Sequence, residues 1–172
     1  MRHAAIPLRI LLPAIALLTL GLAKALAEDW PQLLGPRADG TSTEVDLLSA
    51  WPSGGPKVIW KKQIGTGYSA PSICDGRLVL FHRVGNEQIV EALDAKTAKP
   101  IWRHVSPTRY RDPFGYNNGP RCTPLLTKKH CFTFGAEGAL LCLNVKTGKP
   151  VWQRKTAGEF QVPEAFFGVG AS

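Results

Sequence analysis

The chain has little of what usually announces a chemistry. Its four cysteines, Cys74, Cys122, Cys131 and Cys142, include no CxxC spacing. His3, His82, His104 and His130 form no ligand pattern with them, which excludes a zinc site of ordinary spacing. Lysine and arginine are scattered, with no run of five or more, so the basic balance reads as a solvated surface and not as a nucleic-acid patch. No cysteine follows the small residues at 25–27, so that position offers no acceptor for a lipid anchor. The one long apolar run, Ile10 to Ala23, stands near the N-terminus, and no stable membrane span is expected after it.

That run reads as the core of a secretory signal over residues 1–27. Arg2 and Arg9 give the positive start, and Ala25-Leu26-Ala27 the small-x-small cleavage site. The rival is an uncleaved anchor. Against it, a full span needs roughly 20 apolar residues, and Lys24 interrupts the end of this shorter run. Cleavage would leave residues 28–172, exported to a periplasmic or extracellular space. Loss of Arg2, Arg9 and Lys24 lowers the formal charge from +8 to +5.

What the chain does have is a sentence written twice. The stretch 92–102, ALDAKTAKPIW, recurs 50 residues later as 142–152, CLNVKTGKPVW. A shorter echo, Lys57-Val58-Ile59-Trp60, precedes the first copy by 42. Repeats of this length, built of short strands and ending on tryptophan, predict an all-β fold: a β-propeller of four-stranded antiparallel blades. Residues 28–56 form a Pro/Gly-rich lead-in. Residues 57–172 hold about two full blades and part of another, so the propeller is incomplete.

Strands are expected at 58–64, 72–73, 77–82, 89–93 and 101–105, then at 125–126, 131–134, 140–143 and 151–154, separated by turn residues. The lead-in, with Trp30 and Trp51, is expected to wrap the outside of the domain or to add one strand to it. A two-residue turn at Ala136-Glu137 would set Cys131 opposite Cys142. Export then permits a disulfide, and the alternative is a pair of small buried thiols.

The repeated turn has its own logic. Asp94 or Asn144 can accept backbone N–H bonds, and Thr97 or Thr147 adds a hydroxyl. Gly148 supplies a left-handed conformation at no Cβ cost, where the first copy carries Ala98. Trp102 and Trp152 are read as docking groups that bury a ring against the next blade. A second shared register, Ser69-Ala70-Pro71 and Cys122-Thr123-Pro124, starts each blade with an offset of 53. By that register the chain stops at the threshold of another blade, and closed propellers hold about 4–8; a longer parent protein is expected.

One segment does not belong to the repeat. Residues 104–121 join two blades and carry Arg109, Tyr110, Arg111, Asp112, Phe114, Tyr116, Asn117, Asn118 and Arg121. Loops on a rigid scaffold are where binding residues concentrate. Arg109, Arg111, Asp112, Tyr116 and Arg121 are therefore the candidate binding residues, against the plainer reading of a surface loop stapled by Arg–Asp pairs. The second connection, 159–168, carries three phenylalanines and one proline and is expected to cover apolar surface.

The repeats resemble the pyrroloquinoline quinone (PQQ)-type propeller repeat, whose docking motif reads A-x-D-x-x-T-G-x-x-x-W. Ala92, Asp94, Thr97 and Trp102 match, and Ala98 departs from glycine. Thr147, Gly148 and Trp152 match, and Cys142 and Asn144 depart. Asp29-Trp30-Pro31-Gln32 with Gly35-Pro36, Gly119-Pro120-Arg121 and the stretch 134–138 resemble secreted bacterial proteins of this superfamily. The resemblance brackets the function. Quinoprotein alcohol dehydrogenases hold PQQ with an adjacent Cys–Cys disulfide, a stacking Trp, a Ca²⁺ cage and an Asp base; this chain has no Cys-Cys pair. The outer-membrane assembly propeller binds partner proteins and no quinone. No catalytic, cofactor or metal residue is assigned by motif. The favoured reading is an exported scaffold that binds a protein or polymer; the alternative is a PQQ-dependent dehydrogenase with its catalytic residues in further blades.

Overall fold

A computed structural model describes residues 27–161 and 168–170. The expected signal segment, Ala27 excepted, lies outside the described residues. The fold is nearly all β. One sheet takes β1 (Ser72–Cys74), β2 (Arg77–Val84), β3 (Glu87–Asp94) and β4 (Pro100–Pro107) in that order. The other takes β5 (Leu125–Leu126), β6 (His130–Phe134), β7 (Ala139–Asn144) and β8 (Pro150–Lys155). Every pairing is antiparallel, and each sheet is one blade of an incomplete propeller.

Turn chemistry sets the strand ends. Asp75 and Gly76 both have positive φ, 51° and 70°, and form a two-residue hairpin that pairs Cys74 with Arg77. At the end of β3, the Asp94 carboxylate accepts N–H bonds from Lys96 (3.1 Å) and Thr97 (2.8 Å) and the Thr97 hydroxyl (2.7 Å). Asn144 repeats the backbone part, taking Lys146 at 3.0 Å and Thr147 at 3.1 Å. Both copies then turn through a left-handed residue, Ala98 at φ 57° and Gly148 at φ 68°. Both outer strands enter with the same register shift, after Ala92 and after Cys142.

The core lies between the sheets. Val79, Phe81, Val90, Ala92 and Trp102 from the first meet Leu126, Cys131, Leu141, Leu143 and Val145 from the second. Alternation dictates this set: Val79 faces Ala92 and Phe81 faces Val90 across one ladder, Cys131 faces Leu143 across the other. The innermost strands are tied directly, since the buried Ser72 hydroxyl donates to the Pro124 carbonyl at 2.5 Å.

Three expectations need correction. Residues 58–64 form no strand. The segment pairs with the first sheet only at its end, through the Thr66–Arg83 bridge, so a β-rich composition had no ladder to join. The lead-in adds no strand: Trp30 makes a single bridge to Ile73 on the free edge of β1, and Leu126 donates to the Pro31 carbonyl at 2.8 Å, so the segment is tied to both sheets. The hairpin after β6 is one residue longer than expected. Gly135 pairs with Ala139, Gly138 sits at φ 77°, and Cys131 therefore opposes Leu143 while Cys142 opposes Phe132. The two side chains point to opposite faces of the sheet, and both thiols are free. A short helix α1 (Thr156–Glu159), on which the sequence reading made no statement, follows β8, where Thr156 closes back on the Gly138 carbonyl.

Candidate binding loop and a cleft on the first sheet

The connection after β4 is held from below by one arginine. Arg83, on β2, is 3% exposed. Its guanidinium donates to the carbonyls of Gly85 (2.7 Å), Tyr110 (2.6 Å) and Asn118 (2.9 Å) and to Asn86 Oδ1 (3.1 Å). Both ends of the loop thus share a buried cation. Burial, followed by the nearby Arg111 charge, pushes Arg83 below its ordinary range. The loop's first residues are stapled to the other blade: Thr108 Oγ1 donates to Glu137 at 2.7 Å and the Arg109 N–H at 3.1 Å.

Asp112 organises the middle. Its side chain has no solvent exposure. It accepts N–H bonds from Asn117 (2.9 Å) and Phe114 (3.0 Å) and faces Arg121 at 3.4 Å. The Asn117 bond leads in holding its carboxyl below the usual range, with Arg121 contributing. Arg121 donates to Gly119 and Asn117 carbonyls and lies 5.0 Å from the Tyr110 ring centroid and 5.8 Å from that of Tyr68. Asp112 and Arg121, two of the candidate residues, are therefore internal struts.

The other three candidates face outward. Arg109 and Arg111 are exposed, and neither side chain has a hydrogen-bond or ion-pair partner among the described residues. Tyr116 is 70% exposed, and its ring stacks with Phe114 at 6.3 Å. A rigid base thus carries two cations and an aromatic pair into solvent. The later connection returns to the same end of the molecule, where Val169 donates to the Ala136 carbonyl at 2.8 Å; residues 162–167, with two of its phenylalanines, lie outside the described residues.

A second constellation escaped the sequence reading. Segment 62–66 and the first sheet enclose a cleft of about 690 Å³ lined by Lys62, His82, Glu91 and Arg103 among others. His82 and Glu91 are buried. His82 Nε2 lies 3.2 Å from Glu91 Oε1, and Lys62 Nζ lies 3.4 Å from the same oxygen. The Gly65 N–H donates to His82 Nδ1 at 3.1 Å, which assigns the proton to Nε2. The signal available in sequence was positional: Glu91 stands between Ile89 and Leu93 on one strand face, as His82 follows Leu78 and Leu80.

Trp102 is 8% exposed and donates its indole N–H to the Val145 carbonyl at 2.8 Å. Trp60 donates to Ala95, the equivalent position one blade earlier, at 3.0 Å. Thr97 and Thr147 act inside the turns, each Oγ1 lying 3.4 Å from the backbone N–H of the lysine two residues on. Gly148 lies under the Trp102 ring, where an added Cβ would clash with Cε3. Trp152 is 41% exposed and packs on Phe132 at 6.0 Å.

The family described as outer membrane protein assembly factor BamB matches residues 40–165. The chain belongs to this family. No curated protein matches it. Among solved structures, the quinohemoprotein alcohol dehydrogenase from Comamonas testosteroni is similar at 24% identity and TM-score 0.39, over 52% of this chain and 13% of that one. A europium-containing methanol dehydrogenase is similar at 22% identity and TM-score 0.35, over 49% and 14%. BamB from Moraxella catarrhalis is similar at 23% identity and TM-score 0.19, over 53% and 37%. The chain thus spans a minor part of each of these proteins.

Membership in a PQQ-like repeat family does not by itself supply a quinone site. The residues present do not fit one. The four thiols are separate in sequence, and the described residues hold no group of three or more His, Cys, Asp or Glu able to enclose a metal ion. Nor is any described helix long and apolar enough to cross a membrane.

Proposed function

We propose that this protein is an exported β-propeller scaffold that binds a protein or polymer partner through the connection at 108–121 and does no chemistry there itself. The observation that carries the reading is the division of labour inside the loop. Arg83, Asp112 and Arg121 are spent on internal hydrogen bonds, and this leaves Arg109, Arg111, Phe114 and Tyr116 presented on a fixed base. Arginine and tyrosine are the residue types that anchor interfaces most often. Two unpaired cations suit a partner surface rich in carboxylates.

The family's description, outer membrane protein assembly factor, supports a protein partner and a periplasmic setting. The composition of residues 1–27 supports export. The test is site-specific photo-crosslinking in cells from position Tyr116, with Lys96 on the repeated turn as the control position. The expected result is one adduct from Tyr116 and none from Lys96, lost in an Arg109→Glu, Arg111→Glu double variant. Equal adducts from both positions overturn the reading. So do quinone absorbance and alcohol-dependent dye reduction after incubation with PQQ and Ca²⁺.

A further inference from the structure

The buried His82–Glu91 pair does a job that packing alone does not need. Segment 57–66 lies against the first sheet without joining it as a strand. Besides the Thr66–Arg83 bridge and the Trp60 indole, its ties to the sheet are two polar contacts, Gly65 N–H to His82 Nδ1 and Lys62 to Glu91 Oε1. Both end on the same buried pair. We propose that His82 is a proton-sensitive latch: protonation of Nδ1 releases segment 62–66 and, through it, loosens the base of the loop at 108–121.

The chemistry follows from donor and acceptor roles. Neutral His82 with its proton on Nε2 serves both neighbours, donating to Glu91 and accepting from Gly65. A second proton turns Nδ1 into a donor that faces the Gly65 N–H, and that bond is lost. The same proton makes the ring a cation 3.2 Å from Glu91 Oε1, where it competes with Lys62 for one oxygen. One proton therefore weakens two ties of one segment. The charged groups around the ring are Glu91 from β3, Arg103 from β4, Lys62 from the segment, and Arg83 next in β2, whose guanidinium is shared between the loop and the turn at Gly85 and Asn86.

The link from segment to loop is direct contact. Tyr68 donates to the Pro120 carbonyl at 2.8 Å. Gly119 packs so closely on the Thr66 carbonyl that an added Cβ would overlap it. Arg121, next in sequence, stacks between Tyr68 and Tyr110. Arg83 accepts Thr66 at its backbone and grips Tyr110 and Asn118 with its side chain. Release of Thr66 reaches both ends of the loop within one residue.

The experiment is residue-resolved amide exchange on the full chain between pH 8 and pH 5, corrected for intrinsic rates, with His82 ring protons followed by NMR. The expected result is faster exchange at Gly65, Thr66 and Tyr68 by about tenfold, the loss of roughly one hydrogen bond, with the same midpoint as the His82 ring. Ile73, held by Trp30, stays unchanged. His82→Gln, which keeps an acceptor without a titrating ring, removes the response. Should that variant fail to fold, the wild-type comparison decides: a midpoint that departs from the His82 titration, or no change, overturns the proposal. A retained response in His82→Gln overturns it equally. The exchange readout needs no partner, so its failure is distinct from failure of the binding reading.

Discussion

The indole N–H of Trp102 reaches across the blade boundary to the carbonyl of Val145, 2.8 Å away, and the Trp102 ring covers Gly148 in the same turn. Sequence repetition here is the repetition of that docking problem. Trp102, at the entry to β4, meets a turn carbonyl and a glycine floor in the second blade, and Trp60 meets the equivalent carbonyl of Ala95, in the turn that carries Ala98. Trp102→Phe keeps the ring stack and strands a buried carbonyl, so a loss of about 1–3 kcal/mol is expected. Trp102→Ala opens the inter-blade core and costs about 3–5 kcal/mol. Urea denaturation followed by far-UV circular dichroism reads both.

Ala98 and Gly148 occupy the same left-handed position in the two turns, at φ 57° and 68°. Ala98→Gly removes a Cβ penalty and is expected to stabilise by about 1 kcal/mol. Gly148→Ala adds that penalty and drives a methyl into Trp102, for a loss of about 2 kcal/mol or more. Opposite signs at equivalent positions are the outcome to look for in thermal melts.

The two turns differ in acid. Hydrogen bonds from Thr97 hold the Asp94 carboxyl below the usual carboxylate range. A depressed folded value means stabilisation that is present above the unfolded pKa of about 4 and is lost as pH falls through the folded value. Asn144 has no such dependence. Wild type and Asp94→Asn should therefore converge in stability, or cross, between pH 5 and pH 2, which acid-titrated denaturation measures.

Burial pushes the Cys131 thiol up to about 12, with Cys142 adding to the effect. A raised folded value stabilises the native state below the unfolded pKa near 9, and that contribution fades as pH rises from there towards 12. Cys131 and Cys142 should resist iodoacetamide at pH 8 in the native protein and react fully in denaturant, as mass spectrometry of the alkylated peptides will show.

The blades were legible because their signals are local. Alternation at 77–82 and 89–93, the Asp75-Gly76 hairpin and the Trp-ended repeat each depend on a few neighbouring residues. Residues 58–64 look like a strand by the same local signals, but strand formation needs a ladder partner, and the sequence cannot supply one. The Cys131–Cys142 register turned on one residue in a glycine-bounded loop, where Gly138 and not Glu137 closes the turn. In the loop, composition marked the right segment and could not sort it: Asp112 and Arg121 look as exposed as Arg109 until their partners at Asn117 and Gly119 are seen. The His82–Glu91 pair was silent because its partners, Gly65 and Lys62, lie 17 and 29 residues upstream of the groups they contact.

The central claim, that Arg109 and Arg111 carry a partner, is tested most directly by calorimetry of the protein crosslinked from Tyr116 against wild type and the Arg109→Glu, Arg111→Glu double variant. A loss of about a hundredfold in affinity with an unchanged melting temperature is predicted, the scale expected for reversing two interface charges. Equal affinity for both forms would contradict the account.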